Sequence, residues 1–499
     1  MKNVPASEWM ALLIERHVHA DKSALIEADT GLAISYAGLH ARVLAIADAF
    51  TDQGVLPGDL IFVVSYERID LVALLLAALN VRAVVANVNV QLGSADYSRL
   101  LAQMRPQWLV LDPSVARFAE ACQDAGWNAA RPLAGTGFEQ RQAWARQPRE
   151  GEAAICLFTS GSTGMPKPVL HSVSDLLQTN RHYAAEVLGL GPHDVLFSAS
   201  KMSFAYGLNS VHFALFHGAT AVLAPKQPVP EALCDSITAH GVSVFFSVPT
   251  VFRLLLKKTP ERLGGLTSVR SWVSAGETMP RQLCDMWAAA TGREAIDGIG
   301  TTETLSTFIS NRKGAVVRGS AGREVSGFEF ALRTEQGALA APGQWGTLHV
   351  RGATIARGYW NDAETTARYF NDGWFRTNDV FYQDGDGNYF FVGRANDVFK
   401  SGANWISPVR IELVLQQHPE VLDCAIAPVI EMDGLNRIKA FIVVRKERSD
   451  DGWKKTLADE LSQFSRERLA RYEYPHFIEF IAELPRGVNG KLQRAQLRT

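Results

Sequence analysis

Cysteine is scarce and unpatterned: the five, at 122, 156, 234, 284 and 424, form neither a C-x-x-C pair nor a framework spacing. That excludes a disulfide-stapled secreted domain, and reduced packing cysteines of a cytoplasmic protein are expected. Long apolar runs are missing too. The longest, Leu71 to Leu79, is about half the roughly twenty residues that a membrane span needs. The opening Met1-Lys2-Asn3-Val4-Pro5 leads into no apolar segment of the signal-peptide kind, so a soluble, unprocessed protein with no membrane partner is expected. Charge of one sign is lacking as well: 50 basic against 52 acidic residues give a net charge of −2. A field of that size recommends no nucleic-acid partner. There is no internal repeat and no low-complexity segment.

What is present is a dense cluster of hydroxyls and glycines. Leu157-Phe158-Thr159-Ser160-Gly161-Ser162-Thr163-Gly164-Met165-Pro166-Lys167 follows the apolar run Ala153 to Phe158. The run reads as a buried strand, which puts the loop at a strand's carboxyl end, where α/β proteins bind nucleotides. Glycines let backbone N–H groups approach anionic oxygens, hydroxyls donate further bonds and Lys167 brings positive charge, so the segment reads as a polyphosphate cradle. It is not a Walker A loop, because Gly161 to Gly164 is too short and Met165-Pro166 intervenes before the lysine.

A chain of 499 residues predicts at least two domains. Residues 59–120 alternate Leu60–Val64 (β-like), Ile69–Asn80 (helical), Ala83–Ala86 and Trp108–Leu111 (β-like), the grammar of a parallel sheet covered by helices. The grammar recurs at Asp194–Ser200, Ala219–Leu223 and Val242–Val248, with helices at Ala232–Ala239 and Val251–Lys258, so two stacked α/β layers are expected. Glycine-rich turns and short strands from Gly319 to Gly393 predict a β-rich subdomain. Asp384-Gly385-Asp386-Gly387-Asn388 is read as a hairpin turn, since Tyr389 and Ala395 stand where a calcium loop needs glycine and glutamate. After Arg394 a compact α+β unit follows, with helices at Pro408–Gln417 and Trp453–Leu469 and strands at Cys424–Pro428 and Ala440–Val444. The expected domains are thus a large one, 1–394, and a small mobile one, 395–499.

Further segments, in order, resemble signatures of the acyl-adenylate-forming superfamily of acyl-CoA synthetases, peptide-synthetase adenylation domains and luciferases. The phosphate loop is the first. Ser274-Ala275-Gly276-Glu277 looks like the adenine wall and Asp297-Gly298-Ile299-Gly300-Thr301-Thr302-Glu303 like the Tyr-Gly-x-Thr-Glu segment. Trp374-Phe375-Arg376-Thr377-Asn378-Asp379 resembles the ribose-binding segment, Gly393-Arg394 the start of the hinge, and Pro485-Arg486-Gly487-Val488-Asn489-Gly490-Lys491 the catalytic lysine loop. Together they span about two thirds of the chain, from residue 157 to 491.

The resemblance implies an α/β fold, ATP, Mg²⁺, and either CoA or a phosphopantetheinyl carrier protein. Thr159, Ser160, Gly161, Ser162, Thr163, Gly164 and Lys167 would take the leaving pyrophosphate. Ala275, Gly276, Glu277, Asp297 and Gly298 would line the nucleotide, Asp379 would accept from both ribose hydroxyls and Arg394 would add a positive contact. Thr302, Glu303 and Lys491 are the implied catalytic residues, with Glu303 the Mg²⁺ ligand. Asn396 falls at the pivot, and Ser401, Gly402 and Trp405 face the thiol tunnel. Three departures stand out: Asn378 for the usual glycine, tolerable because asparagine accepts positive φ; Asn396 for aspartate or lysine; and Ser306 for a histidine of benzoate ligases.

Within the superfamily, Lys201 to Leu208 and the 297–312 region most resemble the benzoate-CoA ligase branch. There an Ala-Tyr-Gly turn (Ala205, Tyr206, Gly207) and a Gly-Ile-Gly strand end (Gly298, Ile299, Gly300) wall a flat aryl pocket, with Ser306 beside it. Tyr206 offers a ring, and the glycines are expected to leave room for a planar group. An aryl-CoA ligase is the reading; a stand-alone enzyme loading an acyl-carrier protein, and a phosphotransferase releasing ADP, are the alternatives. Ring substituents and the choice between monomer and homodimer stay open.

Overall fold

The computed structural model describes residues 6–112, 114–124, 139–140, 153–160, 166–224, 226, 228–431, 435–445, 452–485 and 492–497. Contacts divide the chain into two compact units, Met1–Phe330 with Val350–Phe375, and Ala331–His349 with Arg376–Thr499.

Side-chain alternation decides the layers of the first unit. In the strand Leu60–Val64, Ile61 and Val63 enter one core while Leu60, Phe62 and Val64 enter another, as a period of two requires. In Val244–Ser247, Val244 and Phe246 likewise face away from Phe245. Strands apolar on both faces must be covered on both sides. Among the described residues one sheet of nine strands runs Arg323–Glu324, Thr307–Ser310, Ala295–Gly300, Ser271–Ser274, Val244–Ser247, Val195–Ser198, Thr220–Leu223, Ser23–Glu27, Ala33–Ser35. Its middle six strands are parallel. A second sheet of six runs Glu139–Gln140, Trp108–Leu111, Leu60–Val64, Val84–Asn87, Ala153–Ser160, Pro166–Ser172.

The helices Ile69–Asn80 and Ala205–His217 lie in the core that the inner faces of both sheets share. Every residue from Leu71 to Leu79 is buried, so this helix has no solvent face along that run. The helices Ser94–Met104 and Ala116–Asp124 cover the outer face of the six-stranded sheet, and Pro230–Ala239, Pro249–Lys258 and Arg281–Thr291 that of the nine-stranded one. The expected stacked α/β layers are present. One local expectation is corrected: Ala205-Tyr206-Gly207 is the first turn of a helix of thirteen residues capped at Phe204, and no proline interrupts the chain between Ser203 and the end of that helix.

The strand Trp374–Gln383, which enters the second unit at Arg376, pairs with Tyr389–Arg394 through the expected turn at Asp384–Asn388, with Gln383 opposite Tyr389. A three-stranded sheet, Val421–Ile430, Asn436–Val444 and Phe477–Phe480, carries the helices Pro408–Leu415 and Trp453–Arg468 on one face. By contact, residues 331–349 and 376–394 group with this α+β unit; Ser407 Oγ, for one, donates to Val392 O at 2.5 Å. The division by contact falls at Phe375/Arg376, with Ala331–His349 added to the second unit. Among the described residues no helix is long and apolar enough to cross a membrane.

Candidate active site

The hydroxyl-rich loop joins two antiparallel strands, with Thr159 opposite Lys167 and Ser160 opposite Pro166. Gly161, Ser162, Thr163 and Gly164 lie outside the described residues. Lys167 is held by aromatic faces: its Nζ sits 5.5 Å from the centroid of the Tyr359 ring and 5.7 Å from that of Tyr369. Such contacts attract an ammonium while leaving its three donors for an anion. The Tyr359 hydroxyl donates to Glu303 Oε1 at 2.9 Å. Burial first, then the Glu303 carboxylate, holds that phenol far above its ordinary pKa, so it remains a donor. One tyrosine thus links the lysine of the hairpin to the candidate metal carboxylate.

Glu303 stands on a turn in which every carbonyl from Thr302 to Ser306 accepts a hydrogen bond. The carbonyl of Thr302 accepts from His171 Nε2–H at 2.7 Å, that of Glu303 from Ala356 N–H at 2.8 Å and that of Thr304 from the Thr354 hydroxyl at 2.7 Å. The carbonyl of Leu305 accepts from Asn209 Nδ2–H at 2.9 Å and that of Ser306 from the Thr304 hydroxyl at 2.9 Å. Leu305 adopts φ 58°, a left-handed backbone that costs a branched residue about 1–3 kcal/mol. Five carbonyl bonds hold it there. The carboxylate is consequently presented in one direction, which is what electrostatic preorganisation demands. Thr302 enters through its backbone and Ser306 donates its hydroxyl to Thr307 O at 3.2 Å.

The residues expected on the nucleotide side collect at the carboxyl ends of adjacent parallel strands. Ser247 pairs with Ser274, and Ser274 with Asp297. Ala275 is buried, Gly276 has φ 84°, and Glu277 accepts from both N–H and hydroxyl of Thr250, at 3.1 and 2.7 Å, in the first turn of Pro249–Lys258. Asp297 is raised to about 7: burial dominates, and the Ser274 hydroxyl with the N–H groups of Met279 and Gly298 offsets only part of it.

Tyr206 packs edge-on against Phe246, with centroids 5.9 Å apart, and donates its hydroxyl to Val273 O at 2.9 Å. Burial keeps that proton in place. Ala205 is buried beside it and Ile299 is partly exposed. The glycines need correction. A Cβ on Gly207 would lie 2.2 Å from Lys201 O, one on Gly300 2.4 Å from Ser306 O and one on Gly298 2.8 Å from Ile309 O. The space into which their side chains would point is filled by main chain, so these glycines permit close backbone approach rather than leaving room there for a ring.

In the second unit Asp379 lies opposite Arg394, whose Nε is 3.0 Å from Asp379 Oδ1. Asn378 takes φ 64°, the positive value expected of a glycine substitute, and Ala395 N–H donates to its carbonyl at 2.8 Å. Asn396 sits in a turn closed by Asp397 N–H and Val398 N–H on Arg394 O. Ser401 and Gly402 belong to the hairpin Phe399–Ser401/Asn404–Ile406, and Trp405 stacks under Lys400 Nζ at 4.6 Å. Lys491 lies outside the described residues; nearby Arg494 forms a bidentate pair with buried Glu412, Nη2 to Oε2 being 2.6 Å.

Sequence reasoning missed Tyr359, His171, Thr354 and Asn209. Only Tyr359 carries a signal, an aromatic after glycine in Gly358-Tyr359-Trp360; the others act from 50 to 131 residues away through bonds no spacing reveals.

Among known proteins, the benzoate–CoA ligase of Thauera aromatica is 34% identical over 505 aligned positions, covering 98% of this chain and 95% of the relative. The anthranilate–CoA ligase of Pseudomonas aeruginosa is 37% identical over 361 positions, 71% of this chain and 68% of the relative. The crystal structure of a benzoate CoA ligase from Burkholderia xenovorans LB400 superposes with a TM-score of 0.86 at 32% identity, covering 98% of this chain and 99% of that one. The pattern of the AMP-binding enzyme C-terminal domain matches residues 410–491. That of the AMP-binding enzyme matches residues 14–360, through the hairpin, the Ser274–Glu277 segment and the Glu303 turn, and the chain belongs to that family.

Proposed function

We propose that the protein activates an aromatic carboxylic acid with ATP, forming an acyl adenylate and pyrophosphate, and then transfers the acyl group to the thiol of CoA. The observation that carries this reading is the Lys167–Tyr359–Glu303 arrangement, positive charge and a preorganised carboxylate joined by one phenol. A carboxylate attacking the α-phosphorus brings two anions together, and such a pair must be neutralised and aligned. The benzoate- and anthranilate-ligase relatives support an aryl acid.

The donor set suits Mg²⁺. Glu303 offers one hard carboxylate oxygen, the kind of single protein ligand taken by a cation that keeps several waters and binds phosphate oxygens. When bound, the ion neutralises charge on the phosphates. Lys167 and the loop hydroxyls bind the departing pyrophosphate, Asp297 with Ala275 and Gly276 flanks the base, and Asp379 with Arg394 receives the ribose. Tyr206, tied at its hydroxyl, offers a fixed ring surface to the acid, with Ala205, Ile299 and Ser306 around it. Lys491 reaches the reacting carboxylate in the first half-reaction, and rotation about Asn396 of the domain beginning at 395 brings Ser401, Gly402 and Trp405 to the thiol path for the second.

The test is a screen of benzoate, hydroxybenzoates, aminobenzoates, cinnamates and medium-chain fatty acids for pyrophosphate and AMP release, followed by mass spectrometry of the product with CoA and with a carrier protein. Release of ADP, or turnover of alkyl acids alone, refutes the reading.

A further inference from the structure

One buried chain of polar side chains touches the Glu303 turn without a part in the reading above. Leu305 O can only accept, so Asn209 gives it Nδ2–H, at 2.9 Å. Asn209 Oδ1 is then left to accept from His212 Nε2–H at 2.8 Å. A neutral His212 offers Nδ1 as an acceptor, and Asn180 Nδ2–H fills it at 2.9 Å while the same amide also donates to Leu176 O at 2.8 Å. Carbonyls at both ends fix the direction of every bond and lock the imidazole as its Nε2–H tautomer. Burial pushes His212 down to about 3, in keeping with a neutral ring.

The chain links three elements. It starts in the π-helical segment Asn180–Ala185, crosses the helix Ala205–His217 and ends on the left-handed residue between Glu303 and Ser306. The first turn of that same helix carries Tyr206. Asn180, Asn209 and His212 are all buried, and burial makes a broken bond in such a chain costly.

We propose that Asn180, His212 and Asn209 form a positioning relay that keeps Leu305 left-handed, and so fixes the Glu303 carboxylate and Ser306 relative to Tyr206. None of the three touches substrate. The inference rests on the roles of Glu303 and Tyr206 given above.

His212→Leu cuts the relay at its centre. His212→Gln retains it, because the amide accepts at Oε1 and donates at Nε2. With folding checked by circular dichroism, His212→Leu is expected to lower kcat for pyrophosphate release about 10- to 100-fold, the scale of a small misplacement of a catalytic group. KM for ATP should change less than about threefold, and His212→Gln should return kcat to within about threefold of wild type. A crystal structure of His212→Leu should show Leu305 outside the left-handed region and Glu303 displaced. Should that variant fail to fold, Asn209→Asp serves in its place, keeping the acceptor for His212 while setting a carboxylate against Leu305 O. Wild-type kcat in the folded variant, an unchanged Leu305, or no recovery in His212→Gln overturns the relay. A wild-type protein that releases no pyrophosphate with any aryl acid overturns the functional reading instead, and the crystallographic comparison then decides the relay alone.

Discussion

Replacing Tyr359 by phenylalanine removes one oxygen and keeps the ring beneath Lys167. The lost bond is short, 2.9 Å, and is made to the carboxylate of a residue only 7% exposed. Hydrogen bonds to charged groups contribute about 1.5–3 kcal/mol. At about 1.4 kcal/mol per factor of ten, adenylate formation should slow roughly 10- to 150-fold, provided that the bond matters as much in the transition state as at rest. Tyr359→Leu deletes the ring as well, and the lost cation–π contact at 5.5 Å should take away about 0.5–2 kcal/mol more. Pyrophosphate exchange into ATP measures the first half-reaction without interference from the thiol step. If Tyr359→Phe exchanges at the wild-type rate while Tyr359→Leu does not, the hydroxyl has no part in placing Glu303 and only the ring supports Lys167. If both match wild type, the Lys167–Tyr359–Glu303 arrangement is incidental to adenylate formation.

Asp297 gives a pH signature without ligands. Its pKa is about 7 in the folded state against an ordinary 3.8, so the folded state holds the proton more tightly and loses stability as pH rises through that window. Asp297→Asn should therefore gain stability over wild type progressively from about pH 4 to 7, levelling above, by up to about 4 kcal/mol; a difference independent of pH in denaturant titrations refutes this. Arg494→Met strands the buried Glu412 carboxylate and should cost about 3–5 kcal/mol, while Arg494→Met with Glu412→Leu should recover much of the loss; equal stability of single and double variants argues against the pair. Gly207→Ala places a methyl 2.2 Å from Lys201 O, and a loss of about 1–3 kcal/mol is expected in thermal unfolding, independent of any acid. Lys491→Ala should lower acyl-adenylate formation by about 10²–10⁴ and spare thioester formation from supplied adenylate; equal losses in both steps would make the lysine structural.

Much of the fold was legible because periodicity is local. Ile69–Asn80 reads as a helix from its own residues and is one, and the turn at Asp384–Asn388 closes a hairpin as its glycines suggest. The ordered motifs singled out Glu303, Lys167 and Asp379 because each stands in a short, chemically unusual string. What sequence could not show are partners in space. Nothing near His171 indicates that its imidazole holds Thr302, 131 residues on. The glycines misled for the same reason: Gly207 and Gly300 announce that no side chain fits, but not whether ligand or main chain excludes it. The helical start at Ala205 was obscured because Phe204, its cap, makes no side-chain bond to declare the boundary.

The parallel pairing of Leu25 with Ala221 has a consequence for synthesis on the ribosome. A strand near the start of the chain waits for a neighbour about 200 residues later, which at about 5–20 residues per second is on the order of 10–40 s. During that interval the run Leu71 to Leu79, destined for a site between two sheets, has only one of them to lie against. Such exposure is what holdase chaperones bind, and nascent fragments that end before Thr220 are expected to sediment with them or aggregate, whereas chains extended past Glu324, the last strand of the nine-stranded sheet, can close the layer and escape both fates.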